Sequence, residues 1–197
     1  MITTGYELST AITNLLILIV SLILIYKIKD KSFRWFYYFI AIDSFLGVIV
    51  HGIKMSSTLN TILWVILYLL FSITFNILLN LFCNVKLKKV LIISLITFIS
   101  MVTIYMISIK CGIKNLDNIV MLLYALAIVL ISLYNIIKRK PVNKYYIVGI
   151  IIQIIGIIPI FFKINVWWLN YNGICHLFTL ITIIIFYFGI KKRIKES

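Results

Sequence analysis

Long runs of isoleucine, leucine, valine and phenylalanine, broken only by short polar intervals, fill the chain from about residue 8 to residue 190. A helix needs roughly 20 mainly apolar residues to cross a bilayer. Seven such stretches can be drawn, at about 8–28, 33–53, 60–83, 88–109, 116–137, 144–162 and 172–190. β-branched isoleucine lowers helix propensity in water, but hydrocarbon forces each backbone N–H and C=O to pair within its own segment, and helix is then the economical choice. A membrane barrel would show ~10-residue segments of alternating polarity, and this chain does not. The pattern predicts an all-α polytopic membrane protein, a seven-transmembrane helix bundle occupying residues 1–197 as a single domain. The linkers leave no room for a separate soluble unit. The first apolar run is long enough to span and has no basic segment before it, unlike a secretory signal.

Composition strengthens this reading. Hydrophobic residues make up 63% of the chain and charged residues 12%, with mean hydropathy +1.16. A soluble domain carries about a quarter charged residues, and disorder needs low hydrophobicity. The formal charge of +14 would suggest nucleic acid in a soluble protein. Here the cations cluster between apolar runs, so they are topogenic and no nucleic-acid partner is expected. Alternate loops hold 15 Lys and Arg on one side (Lys27 to Arg34, Lys86 to Lys89, Lys138 to Lys144, Lys191 to Lys195). The other side holds four, namely Lys54, Lys110, Lys114 and Lys163. The bias places the N-terminus outside and the C-terminus in the cytoplasm of a multi-pass protein of the cell membrane. Trp35, Tyr37, Tyr38, Trp167 and Trp168 fit interfacial belts. Pro159, following Gly149 and Gly156, predicts a kink in the sixth helix. Cys83, Cys111 and Cys175 lack metal-site spacing, and a disulfide between Cys111 and Cys175 stays open.

Polar side chains at membrane depth are costly and mark either sites or helix contacts. Glu7, Thr10, Asn14 and Ser21 share one face of the first helix. The second carries Asp43, Ser44 and His51, with Ser44, Gly47 and His51 on one side and Gly47 permitting a close approach. The third bears Ser72, Asn76 and Asn80 at i, i+4, i+8. Gln153 sits mid-way along the sixth, and Asn172 and His176 open the seventh, with Thr179 on their face. Given the topology, both histidines and Glu7 fall near the outer surface, and Asp43 lies about 12 Å deeper along its helix. The bland readings stand beside these. A histidine near a helix end can reach the interface, and Asn and Ser stripes often serve as packing glue. Cys175, beside His176, is expected to point to a different face and to serve packing.

Two imidazoles and a carboxylate can hold Zn²⁺ and leave one position for water, which then becomes a nucleophile near neutral pH. A serine or second acid could orient substrate or move protons. His51, His176 and Glu7 are the candidate metal ligands. Asp43 and Ser44 are the candidate catalytic residues. Asn14, Asn76, Gln153 and Asn172 complete the polar interior.

The strings D-S-F-L-G-V-I-V-H-G at 43–52 and N-Y-N-G-I-C-H at 170–176, on seven short-looped helices, resemble the CREST membrane-hydrolase superfamily. That group includes alkaline ceramidases and the progestin/adiponectin receptors. The resemblance implies zinc held by His51 and His176, with Glu7, Ser44 and Asp43 in support, and a membrane-lipid substrate. The chain departs from the pattern at Asn172, where the family has the first His of H-x-x-x-H, and at Gly47, where it has Ser. With two histidines in all, an acid must replace the third ligand, or the metal has been lost.

Three readings compete: a zinc-dependent hydrolase of a lipid amide or ester, a non-catalytic descendant of such hydrolases, and a small transporter or ligand-binding protein. No embedded lysine suits retinal, and no phosphate-binding glycine motif is present. Oligomeric state is not legible.

Overall fold

The computed structural model describes residues 7–113, 116–139 and 142–196. Lys114, Lys140 and Pro141 lie outside them, as do the side chains of Arg193 and Lys195. The described residues form seven helices: α1 Leu8–Lys27, α2 Lys31–Gly52, α3 Ser57–Cys83, α4 Leu87–Cys111, α5 Leu116–Lys138, α6 Lys144–Phe162 and α7 Tyr171–Glu196. All seven are long and apolar enough to cross a membrane. No strand occurs among the described residues.

Polar residues set the helix ends where the apolar pattern could not. Asp30 accepts a hydrogen bond from Phe33 N–H (3.1 Å) and starts α2 at Lys31. Ser56 accepts from Leu59 N–H (3.3 Å) and starts α3 at Ser57. These N-caps satisfy amides that have no partner within the helix. At the other ends, Asn84 (φ 57°), Gly112 (φ 66°) and Lys163 (φ 50°) close α3, α4 and α6 in the left-handed conformation. The helix α7 continues to Glu196, past the end of its apolar run, because lysine and arginine are good helix formers. Pro159 lies three residues before the end of α6, and the helix carries on past it to Phe162.

Packing follows a ring. α1 packs on α2, α2 on α3, α3 on α5, α5 on α6, α6 on α7, and α7 closes on α1. α4 stays outside, against α3 and α5. The ring is sealed at one end by interlocking aromatics. Phe33, Phe82, Tyr146 and Phe186 form a contacting set with ring centres 5.1–6.1 Å apart. The Tyr37 hydroxyl donates to the Ile183 carbonyl beside them. The α6–α7 joint depends on glycine. A Cβ at Gly149 would meet the Phe186 ring at 2.6 Å, and one at Gly156 would fall on the Phe178 side chain. Small residues let two helix backbones approach this closely.

The Ser72–Asn76–Asn80 stripe is spent on packing. Asn76 Nδ2 donates to the Ser72 carbonyl (2.8 Å), and Asn76 Oδ1 accepts from the Tyr124 hydroxyl of α5. Asn80 Nδ2 reaches the Val85 carbonyl (2.8 Å), which helps close the end of α3. All three cysteines are free thiols, so the Cys111–Cys175 disulfide is not formed; Cys111 is exposed and Cys175 buried.

Candidate functional site

The start of α1, the end of α2 and the start of α7 meet at one end of the ring, opposite the aromatic seal. Glu7 N–H donates to the His51 carbonyl at 2.8 Å, which ties the first two helices by their backbones. The Glu7 side chain then gathers the third. Its Oε2 accepts from Thr10 Oγ1 (2.7 Å), Asn170 Nδ2 (2.8 Å) and Asn172 Nδ2 (3.1 Å), and His51 Nδ1 lies 3.5 Å away. Burial pushes the Glu7 carboxyl up. The Asn172 and Thr10 hydrogen bonds, the positive charge that His51 can carry and the Asn170 amide outweigh that, and hold it below the ordinary glutamate range.

Asn170 organises the junction. Its Oδ1 caps α7 by accepting from Gly173 N–H (2.8 Å), and it also accepts from Ser9 Oγ (3.1 Å) and Thr10 Oγ1 (2.9 Å). This residue was missed as a site member, although N-x-x-G ahead of an apolar run is a legible N-cap signal.

The two imidazoles share this mouth. The His51 and His176 ring centres are 6.4 Å apart, with the planes at 72°. Trp64 of α3 packs its ring edge-to-face with His51 at 5.8 Å. A carboxylate only accepts, so a neutral His51 facing Glu7 carries its hydrogen on Nδ1. Thr13 Oγ1 lies 3.0 Å from both the Ser9 and the Thr10 carbonyls and 3.4 Å from His176 Nδ1. The His176 ring also meets the backbone of Thr10.

Below the mouth opens a cavity of about 650 Å³ inside the ring. Glu7, His51, His176 and Asn172 line its top. Ile17, Phe36, Ile40, Val129, Ile150 and Phe186 line its base. Between these levels, Asn14, Asp43, Ser44, Gln153 and Thr179 line the wall. Asp43 and Ser44 share the cavity with the imidazoles but sit about 12 Å and 10 Å further along α2 than His51. Asn14 seats against Gly47, where an added Cβ would lie 2.7 Å from its amide. Gln153 Nε2 donates to Thr179 Oγ1 (3.2 Å). Cys175, expected to point to a different face from His176, lines the same cavity. Asn76 is the one residue of the predicted polar interior that lies outside the cavity wall, committed instead to the α3–α5 contact.

A zinc centre with an open position needs three protein ligands. Two imidazole nitrogens on one tetrahedral zinc would bring their ring centres to roughly 5 Å, nearer than they stand here. The Glu7 oxygen nearest them is already engaged by three donors. Among the described residues, no group of three or more His, Cys, Asp or Glu is placed to hold a metal ion. This arrangement does not fit a three-ligand site.

The chain belongs to a family of unknown function, DUF6962, which it matches over residues 9–195. No curated protein and no solved structure matches it.

Proposed function

We propose that this chain is a multi-pass protein of the cell membrane, N-terminus outside, that binds an amphiphile within its helical ring. One observation carries the reading: a single cavity with a polar mouth and an apolar base. Ligand sites of several hundred Å³ are mostly apolar, with a few placed polar groups that fix orientation. Here the imidazoles of His51 and His176 and the Asn172 amide suit a polar head group, and the base suits an alkyl chain. The cation bias between alternate loops supports the orientation. The side walls admit ligand from the bilayer, since the cavity lining includes half-exposed Ile119 of α5 and Phe161 of α6.

Native mass spectrometry of protein extracted from membranes tests the reading. A co-purifying amphiphile is expected, with its occupancy reduced in His51→Ala and in the cavity-filling Ala125→Phe. Ligand-free wild type, or occupancy indifferent to both changes, overturns it.

A second reading is zinc-dependent hydrolysis of a lipid amide or ester, favoured by the shared mouth of His51, His176 and Glu7 and by the CREST resemblance. It requires an acid to approach both rings. Stoichiometric zinc in wild type, lost in His51→Ala and His176→Ala, would establish it; metal-free wild type ends it.

A further inference from the structure

Asp43 is a carboxyl in the middle of α2 with no hydrogen bond, ion pair or cation beside it among the described residues. A charge at that depth is costly even on the lenient insertion scale. Structural carboxyls in this protein are handled differently: Glu7 is surrounded by donors and Asp30 caps a helix. The neighbours of Asp43 are also unspent. Ser44 is 4% exposed and Asn14 6% exposed, both line the cavity, and neither side chain has a hydrogen-bond partner among the described residues. Asn14 reaches this level because Gly47, one turn from Asp43 and Ser44, leaves room for its amide. Across the cavity, Gln153 uses its amide nitrogen on Thr179 and keeps its carbonyl oxygen available. The lysine on the cavity lining, Lys163, belongs to the mouth, just past the end of α6.

We infer that Asp43, with the oxygens of Ser44, Asn14 and Gln153, forms a subsite for a monovalent cation. One carboxylate and several neutral oxygens match a singly charged, hydrogen-bond-donating or oxygen-coordinated guest. An anion would meet the carboxylate, and an alkyl chain would leave four polar groups without partners. The cation comes either free, as an alkali ion, or as an ammonium carried by an amphiphile lying in this cavity; only the second source rests on the proposal that the cavity takes an amphiphile.

Titrations of the full-length chain in neutral-lipid nanodiscs at pH 7 separate these outcomes. The probes are dodecylamine, dodecanol, dodecanoate and, separately, sodium chloride against N-methylglucamine chloride. The inference expects dodecylamine to bind at least tenfold tighter than dodecanol. It expects that preference to vanish in Asp43→Asn and persist in Asp43→Glu, which keeps the charge and controls for folding. A sodium-specific rise in thermal stability, lost in Asp43→Asn, would support the free-ion source even if no amphiphile binds, which would sink the amphiphile reading alone. Amphiphiles that bind without regard to charge, with no sodium effect and no change in Asp43→Asn, overturn the inference while leaving the amphiphile reading intact.

Discussion

Glu7 lies 29% exposed at the mouth, and yet one of its oxygens gathers three hydrogen bonds and an imidazole. Such a carboxylate contributes more as a joint between helices than as a free acid. Its lowered folded value has a definite consequence. A depressed carboxyl stabilises the fold fully above its unfolded value and loses that contribution as pH falls through its folded value. The thermal midpoint of the wild type is therefore expected to drop as pH falls below about 4.5. Glu7→Gln, which cannot ionise, should start lower at pH 7 and show a shallower fall over that window. Equal acid sensitivity in both proteins would remove Glu7 from this role.

Among the helices, the tightest dependence on sequence falls at α6 and α7. Gly149 and Gly156 are seven residues apart and so share a face, and Phe186 and Phe178 occupy the space their missing side chains leave. Gly156→Val is expected to push α7 away, break the Gln153–Thr179 bond and cost about 1–3 kcal/mol, the usual range for overpacking. Chemical or thermal unfolding measures this, and an unchanged midpoint contradicts it. The apolar runs made the helices legible, since only they fill the required length. The ends were less so. α7 extends through Lys191 and Lys192, and α3 begins with Ser57 and Thr58, because a helix can continue into polar sequence that a hydropathy count does not credit. The shared mouth of His51, His176 and Glu7 followed from topology alone. Asn170, Thr13 and Trp64 were not read from the chain, since their roles depend on which helices become neighbours. The place of Cys175 likewise depends on the ring, which turns one broad stripe of α7, Cys175 and His176 included, toward the cavity.

At the scale of the molecule, six helices enclose the cavity while α4 packs outside them. A wall of helices sealed at one end by aromatics and polar at the other is a container with a direction. The proposed direction in the membrane rests on charge: a reporter fused after Ser197 should be active only where cytoplasmic location is required, and the opposite result would invert the orientation. The container itself is tested through Trp64, which lines the cavity and touches His51. Trp35, Trp167 and Trp168 are surface residues, 59%, 94% and 49% exposed, so replacing them with Phe leaves Trp64 as a lone fluorophore. Titration with an amphiphile brominated on its alkyl chain should quench that fluorescence saturably, near one molecule per chain, and the unbrominated amphiphile should reverse it. Quenching that rises linearly without saturation, or none at all, would mean that no chain enters the ring.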